Sequence, residues 1–273
     1  MAKDSRKLAA ALAWLARRPA LMLLTARDRR LAAEAPERFR HAWMGLLGTS
    51  LVWGGVMVTL WGLAWEVFGG VEPLVLPAMV ATGAICLGLY RRALVAAARV
   101  LGGTEPASQA VAAATLVLAV GFSLLGLGPY FHRWGDLRLP QWLGWLLPHA
   151  KHSRVLLLMP LWGAWAMLIA GKFCRPTERT DARVAAFVRG CGALAAAVCM
   201  AVLMFVTTVY FQHLGMGSQV LILAVTAVAV VALGVGLCRR AGGPTRQSLL
   251  AANVLAQLAF VLAYLAGRYL ASR

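Results

Sequence analysis

The chain has 273 residues, of which 61% are hydrophobic and 14% are charged, and its mean hydropathy is +0.73. Soluble globular domains are about half apolar, so this composition excludes an ordinary soluble domain and favours a protein of the lipid bilayer. The formal net charge of +17 does not indicate a nucleic-acid partner, because the basic residues punctuate apolar stretches and do not form a soluble basic face. The sequence identifies no protein partner.

Residues 1–42 are predicted to form a basic cytoplasmic arm. An apolar run begins at Leu8 and looks like a secretory signal, but Arg17, Arg18 and Pro19 stand where a cleavage site would need small residues. The remainder alternates basic and apolar patches at helical spacing. Two interpretations stay open: an amphipathic helix lying on an anionic leaflet, or a partly ordered cytoplasmic tail.

Seven apolar segments follow the arm, so residues 43–273 are predicted to be an integral membrane domain. Each segment has about 17 to 25 residues, which suits a hydrocarbon core of about 30 Å at a rise of 1.5 Å per residue. The segments are 44–67, 73–90, 109–130, 155–171, 189–211, 218–238 and 248–268. The expected fold class is therefore all-α, a bundle of about seven transmembrane helices. The fourth segment is the weakest, because it is short and contains Pro160.

The distribution of basic residues predicts how the bundle is oriented. When the links are assigned alternately to two sides, 21 of the 27 Lys and Arg residues fall on the side of the N-terminus and six on the other. By the positive-inside rule the N-terminus is cytoplasmic and the C-terminus is outside, as in a multi-pass protein of a bacterial-type plasma (inner) membrane. The cytoplasmic links could attract a phosphorylated substrate or anionic lipid, and anionic lipid is the simpler expectation.

Four of the five histidines are predicted to lie on the outer side. They are His132, His149, His152 and His213. His149 and His152 would share one face if their segment were helical, which is a spacing that a metal or haem site could use. No HExxH pattern accompanies them. The favoured interpretation is therefore a set of solvated residues near the lipid head groups, with metal binding as the alternative.

Polar residues inside the predicted spans are few. Asn253 and Gln257 are four residues apart, so they share a helix face and are expected to hydrogen-bond a neighbouring helix. Glu66 lies near the outer end of the first span. A transporter or permeation accessory, the alternative function, would require these three side chains to face one water-filled cavity.

Two stretches resemble the cobalamin synthase (adenosylcobinamide-GDP ribazoletransferase) family. SRVLLLMPLWGAWAM, residues 153–167, is similar to a leucine-rich P-x-x-G-R-W-A-M motif, and RRAGGPTRQSLLAANVLAQL, residues 239–258, to a basic pair before G-G-x-T-G-D-x-x-G-A. The matching positions are Pro160, Gly163, Trp165, Ala166, Met167, Gly242, Gly243, Thr245 and Ala251. The resemblance implies a polytopic enzyme that joins a nucleotide-activated corrinoid to ribazole with Mg²⁺.

The chain departs from that family where the chemistry is concentrated. Ala164 replaces the motif arginine, Arg246 and Gln247 replace the Gly-Asp of the second motif, and the early carboxylate-rich motif has no counterpart between residues 60 and 103. The expected function is therefore a membrane protein of unassigned activity, related to the family but without its catalytic carboxylates. No catalytic residue is assigned, and Mg²⁺ is expected only if transferase activity, the alternative, is retained.

Overall fold

The computed structural model describes residues 42–68, 75–127, 151–178 and 180–272. The predicted N-terminal arm lies outside these ranges except for its last residue. Within them all regular secondary structure is helical, which confirms the predicted all-α class. The helices are α1 (Ala42–Phe68), α2 (Val75–Gly83, continued as a π-helix over Ala84–Leu89), α3 (Arg91–Gly102), α4 (Pro106–Leu127), α5 (Lys151–Phe173), α6 (Ala182–Gly190), α7 (Ala193–Phe211), α8 (Met216–Arg240) and α9 (Arg246–Ala271).

Six of these helices are long and apolar enough to cross a membrane: α1, α4, α5, α7, α8 and α9. The second predicted segment is a shorter apolar helix, Val75–Gly88 in its apolar part. The described ranges therefore hold six helices with the length and composition of full membrane spans and one shorter apolar helix, as expected of a multi-pass membrane protein.

The core of the bundle is α5, the segment that sequence reasoning considered weakest. Of its membrane-spanning stretch, 83% is buried inside the protein, against 22–33% for α1, α4, α7 and α8. It packs against α1, α7, α8 and α9. Pro160 lies within the helix, where its ring removes one backbone donor, but contacts on all sides hold the surrounding turns in place.

The second central helix is α9, of which 67% of the spanning stretch is buried. Its first turn is closed by a capping box: the Thr245 hydroxyl accepts from Ser248 N at 3.1 Å, and Thr245 N donates to Ser248 Oγ at 2.9 Å. These bonds satisfy two backbone groups that an uncapped helix would leave unpaired. α9 packs against α8, α5 and α3.

Two local predictions need correction. The stretch after the second segment, treated as a link, is the amphipathic helix α3, whose Ala93, Leu94 and Ala97 are buried in a helix that packs against α4 and α9. The predicted fifth segment, 189–211, begins too early, because α6 ends at Gly190 and α7 begins at Ala193. In both places the helix boundary depends on tertiary packing, which hydropathy alone does not report.

Candidate functional site

Three basic links meet at one end of the bundle and surround a cleft of about 1080 Å³. We call this the arginine cleft. It is formed by α3, by the turn between α8 and α9, and by the start of α6. Its lining residues are Arg91, Arg92, Val95, Ala96, Arg99, Val100, Gly103, Thr104, Asp181, Arg183, Arg240, Ala241, Thr245, Arg246, Gln247 and Leu250.

Helix α3 supplies half of the arginines. Arg91, Arg92 and Arg99 are exposed on one side of the helix, while its alanine-rich side is buried. Arg92 and Arg99 are seven residues apart, two helical turns, so both side chains leave the same face. The helix therefore presents a row of guanidinium groups along the length of the cleft.

The turn between α8 and α9 supplies Arg240 and Arg246. Gly243 in this turn has φ +137°, and a Cβ atom there would lie 2.6 Å from Thr177 Oγ1. The Thr177 hydroxyl donates to Gly242 O at 3.1 Å. Only glycine fits such a position without strain, and the resulting tight turn places the ends of α8 and α9 beside α3.

Arg240 also ties the two sides of the cleft together. Its Nη2 donates to Leu101 O at 3.3 Å, a bond between residues 139 positions apart in the chain. The carbonyl belongs to the last turn of α3, where a cation is favoured by the helix dipole. This contact holds α3 against the α8–α9 turn.

Asp181 is the single carboxylate among the described residues that line the cleft. It caps α6 by accepting from Arg183 N at 3.0 Å, and its Oδ2 lies 2.6 Å from Arg183 Nη2. Partial burial acts to raise the pKa of Asp181, but the hydrogen bonds from Arg183 and the charges of Arg183 and Arg246 outweigh it and hold the pKa below its usual value. Asp181 is therefore ionised at neutral pH and already paired.

The charge balance of the cleft favours an anionic ligand. Six guanidinium groups against one carboxylate leave a net charge of +5 on the lining. Arginine is the side chain best suited to phosphate, because its planar guanidinium donates two parallel hydrogen bonds. The Mg²⁺ that the family resemblance implies does not fit this donor set, because Mg²⁺ is bound through carboxylates and phosphate oxygens and the one carboxylate present is engaged by Arg183.

A second polar group lies in the bundle core, between α5 and α9. Asn253 and Gln257 are both buried. Gln257 Nε2 donates to Asn253 Oδ1, and Asn253 Nδ2 donates to Met167 Sδ at 3.5 Å. A Cβ atom at Gly163 would lie 2.8 Å from Asn253 Nδ2, Asn253 O and Gln257 Cγ. The pair therefore packs directly on the backbone of α5.

The cavity beside this pair is small. It measures about 30 Å³ and is lined by Tyr90, Ser123 and Gln257 together with apolar residues of α2, α3, α4, α5 and α9. That is room for one or two water molecules. Glu66, the third polar residue singled out from the sequence, lies in the last turn of α1, where its side chain is outside the described part.

The two stretches that carry the family resemblance pack against each other, because one lies in α5 and the other spans the α8–α9 turn and the start of α9. The matching residues have local structural roles. Gly163 allows the close approach of α9, Gly242 and Gly243 form the tight turn, and Thr245 caps α9. Trp165 Nε1 donates to Ala196 O at 3.0 Å.

The described residues include only part of the predicted histidine site. His132 and His149 lie outside the described residues, and His152 lies in the first turn of α5, where its side chain is also outside them. His213 is half-buried in a 3₁₀ turn and contacts the Phe211 ring edge-on, with centroids 6.4 Å apart. Within the described ranges, no group of three or more His, Cys, Asp or Glu residues is arranged to hold a metal ion.

The arginine cleft itself was not predicted as a site. One signal was present: Arg91, Arg92 and Arg99 alternate with alanines at amphipathic spacing. The sequence does not predict that this helix lies beside Arg183, Arg240 and Arg246, because these residues belong to links that are far apart in the chain.

Comparison with known proteins finds no relative of the chain: no protein-family model, no curated protein and no solved structure matches it.

Proposed function

We propose that this membrane protein binds a phosphorylated ligand in the arginine cleft. The observation that carries the proposal is the convergence of six arginines on one cleft whose described lining holds a single, already paired carboxylate. Groups of like charge brought together at an open surface repel one another, and a ligand of opposite charge relieves that repulsion. A phosphate or diphosphate group supplies both the charge and the acceptor geometry.

We further propose that the cleft faces the cytoplasm. The links that form it belong to the side that carries 21 of the 27 basic residues, and the positive-inside rule assigns that side to the cytoplasm. We propose a bacterial-type inner membrane as the location of the protein. Anionic lipid of the inner leaflet then becomes one source of the phosphate, and a soluble phosphorylated compound is the other.

A distant relationship to the cobalamin synthase family remains part of the proposal. It is supported by the contact between the two resembling stretches and by the position of the second one, since Thr245, Arg246, Gln247 and Leu250 line the cleft. Arg246 and Gln247 stand where the family has Gly-Asp, so positive charge replaces a carboxylate at the site. We therefore propose binding without transferase chemistry.

The experiment is a titration of inorganic pyrophosphate into the full chain in phosphatidylcholine nanodiscs, followed by isothermal titration calorimetry. The test variant is Arg92→Gln/Arg99→Gln. Hydrogen bonds to charged groups contribute about 1.5–3 kcal/mol each. A tenfold change in Kd corresponds to about 1.4 kcal/mol, so the loss of two guanidinium groups should raise the Kd at least tenfold even if only one such bond is lost.

The matched control is Arg175→Gln/Arg239→Gln, which removes the same charge from the same end of the bundle but from outside the cleft lining. It should change the Kd by less than about threefold, the scale of a screened surface charge. Equal weakening by the two double variants, or no binding of pyrophosphate to the wild type, would overturn the proposal.

A further inference from the structure

One row of side chains joins the arginine cleft to the lipid-facing surface of α2. The row takes every fourth residue: Met79, Gly83, Leu87, Arg91, Val95 and Arg99. The first three line an apolar groove between α2 and α4, and the last three line the arginine cleft. The two concave surfaces therefore follow one another along the α2–α3 unit, with Tyr90, a non-helical residue (φ −105°, ψ 6°), between α2 and α3.

The π-helix at the end of α2 helps to keep this row straight. A row with a spacing of four residues drifts around an α-helix, which has 3.6 residues per turn. Ala84–Leu89 is π-helical, and its i→i+5 hydrogen bonds close a wider turn that offsets the drift. This wider turn includes Cys86 and Leu87 of the groove and ends at Leu89, two residues before the row reaches Arg91.

The groove is apolar and open. Its volume is about 380 Å³, its floor includes Thr82 and Gly121, and Leu87, Leu118 and Phe122 stand along its walls. These three wall residues are 75%, 60% and 68% exposed. Thus no described part of the chain covers them, and in a bilayer they are in contact with lipid chains.

The dimensions of the groove match one leaflet. Its α2 wall runs from Ala78 to Leu87, nine steps that span about 13 Å, close to half of the hydrocarbon core of about 30 Å. Leu87 is four residues from Arg91, across the bend at Tyr90. An amphiphile with its charged end among the arginines would therefore place its chain in the groove.

The cleft also has an apolar side that a free phosphate would not use. Val95, Val100 and Leu250 line it together with the arginines, and Val95 is 43% exposed between Arg91 and Arg99. A ligand that contacts the arginines, the apolar side of the cleft and the apolar groove would have a multiply charged head and an apolar tail.

We infer that the ligand of the arginine cleft is a lipid with a multiply charged phosphate head group, whose hydrocarbon chain lies in the α2–α4 groove. This inference rests on the proposed function, because it assigns the phosphate of that proposal to a lipid. The head group pairs with Arg91, Arg92 and Arg99, and the chain follows Leu87, Gly83 and Met79 away from the cleft.

The test uses probes that share a head group or a chain. Radiolabelled farnesyl diphosphate carries both, inorganic pyrophosphate carries the head group alone, and farnesol carries the chain alone. Each is titrated against the full chain in phosphatidylcholine nanodiscs. We expect farnesyl diphosphate to bind, with pyrophosphate binding more weakly and farnesol showing no saturable binding.

Because farnesyl diphosphate also concentrates in the bilayer by itself, the decisive variant fills the groove. Gly83→Leu adds a side chain where a Cβ meets no atom within 4 Å, and Gly236→Leu on α8 is its matched control, since the same space is open there. We expect Gly83→Leu to weaken farnesyl diphosphate binding about tenfold and to leave pyrophosphate binding unchanged. A tenfold loss is what displacing one or two methylene groups of the chain from the groove would cause.

The outcomes separate the two proposals. If Gly83→Leu and Gly236→Leu bind farnesyl diphosphate equally, or if pyrophosphate binds as tightly as farnesyl diphosphate, the lipid assignment is overturned while the cleft remains a phosphate site. If neither diphosphate responds to Arg92→Gln/Arg99→Gln, both proposals fail together.

Discussion

The bundle core around Asn253 and the arginine cleft hold polar groups in opposite ways. In the core, Gln257 donates to Asn253, Asn253 donates to Met167, and the pair packs directly on Gly163. In the cleft, six arginines line about 1080 Å³ of open space with one carboxylate among the described lining residues. The first arrangement leaves only about 30 Å³ of free space beside Gln257, whereas the second surrounds a large open cleft.

This difference indicates what each region is for. Polar groups buried in a bilayer are costly unless they have partners, so the amides of α9 serve the contact between α5 and α9. Arginines that share an open cleft do not stabilise one another, and we propose that a ligand accounts for their arrangement. Variants in the two regions should therefore affect different properties, namely stability in the core and binding in the cleft.

The largest expected effect on stability is in the core, at Gly163. Gly163→Ala would place a Cβ atom 2.8 Å from the Asn253 backbone oxygen, so the two central helices must separate. Overpacking of this kind costs about 1–3 kcal/mol. The free energy of unfolding, measured by denaturant titration in mixed micelles, should fall by that amount.

The control for this variant is Gly55→Ala on α1, where a Cβ atom meets nothing within 4 Å. Alanine is favoured over glycine in a helix by about 1 kcal/mol, so the control should be neutral or stabilising. If Gly163→Ala unfolds at the same denaturant concentration as Gly55→Ala, the close contact of α5 with α9 is not a source of stability.

In the cleft, Arg92→Gln/Arg99→Gln should not lower the free energy of unfolding when no ligand is present. Removing two like charges relieves repulsion, so the free energy of unfolding should stay constant or rise, by no more than about 1 kcal/mol. The rise should disappear at high salt because exposed charges are screened. A loss of stability at low salt would show that these arginines hold the fold together, and the contrast with the core would fail.

Hydropathy and the spacing of charges were sufficient to predict the all-α membrane bundle and most span positions. They misjudged the importance of α5, since local propensity treats Pro160 as a helix breaker while the packing of four neighbouring helices decides its place. The shared face of Asn253 and Gln257 follows from helical periodicity. Their contact with Gly163, 90 positions earlier in the chain, does not.

The cleft was beyond prediction for a related reason. The amphipathic pattern of Arg91, Arg92 and Arg99 was visible, and reading it as a helix would have predicted α3. The bond from Arg240 to Leu101 joins residues 139 positions apart, and no periodicity reports such a contact. A site assembled from three links is readable only after the links have been placed in space.

The smallest expected effect concerns Asp181, where the cleft most resembles the core because a charge has a partner. Asp181→Asn keeps a good N-cap residue for α6 and removes the negative charge, which frees Arg183 for a ligand. The Kd for pyrophosphate should fall about two- to fivefold, the size of one exposed charge pair, as measured by calorimetry at neutral pH.

The effect of this substitution on stability should be present at neutral pH and should disappear in acid. Because the folded-state pKa of Asp181 is lowered, its ionised form contributes stability above the ordinary aspartate pKa of about 3.9, and that contribution is lost as the pH falls through the lowered value. Thermal midpoints of the wild type should therefore drop toward those of Asp181→Asn as the pH falls. Curves that stay parallel over the whole acid range, together with an unchanged Kd, would mean that the ion pair with Arg183 affects neither folding nor the positive charge of the cleft.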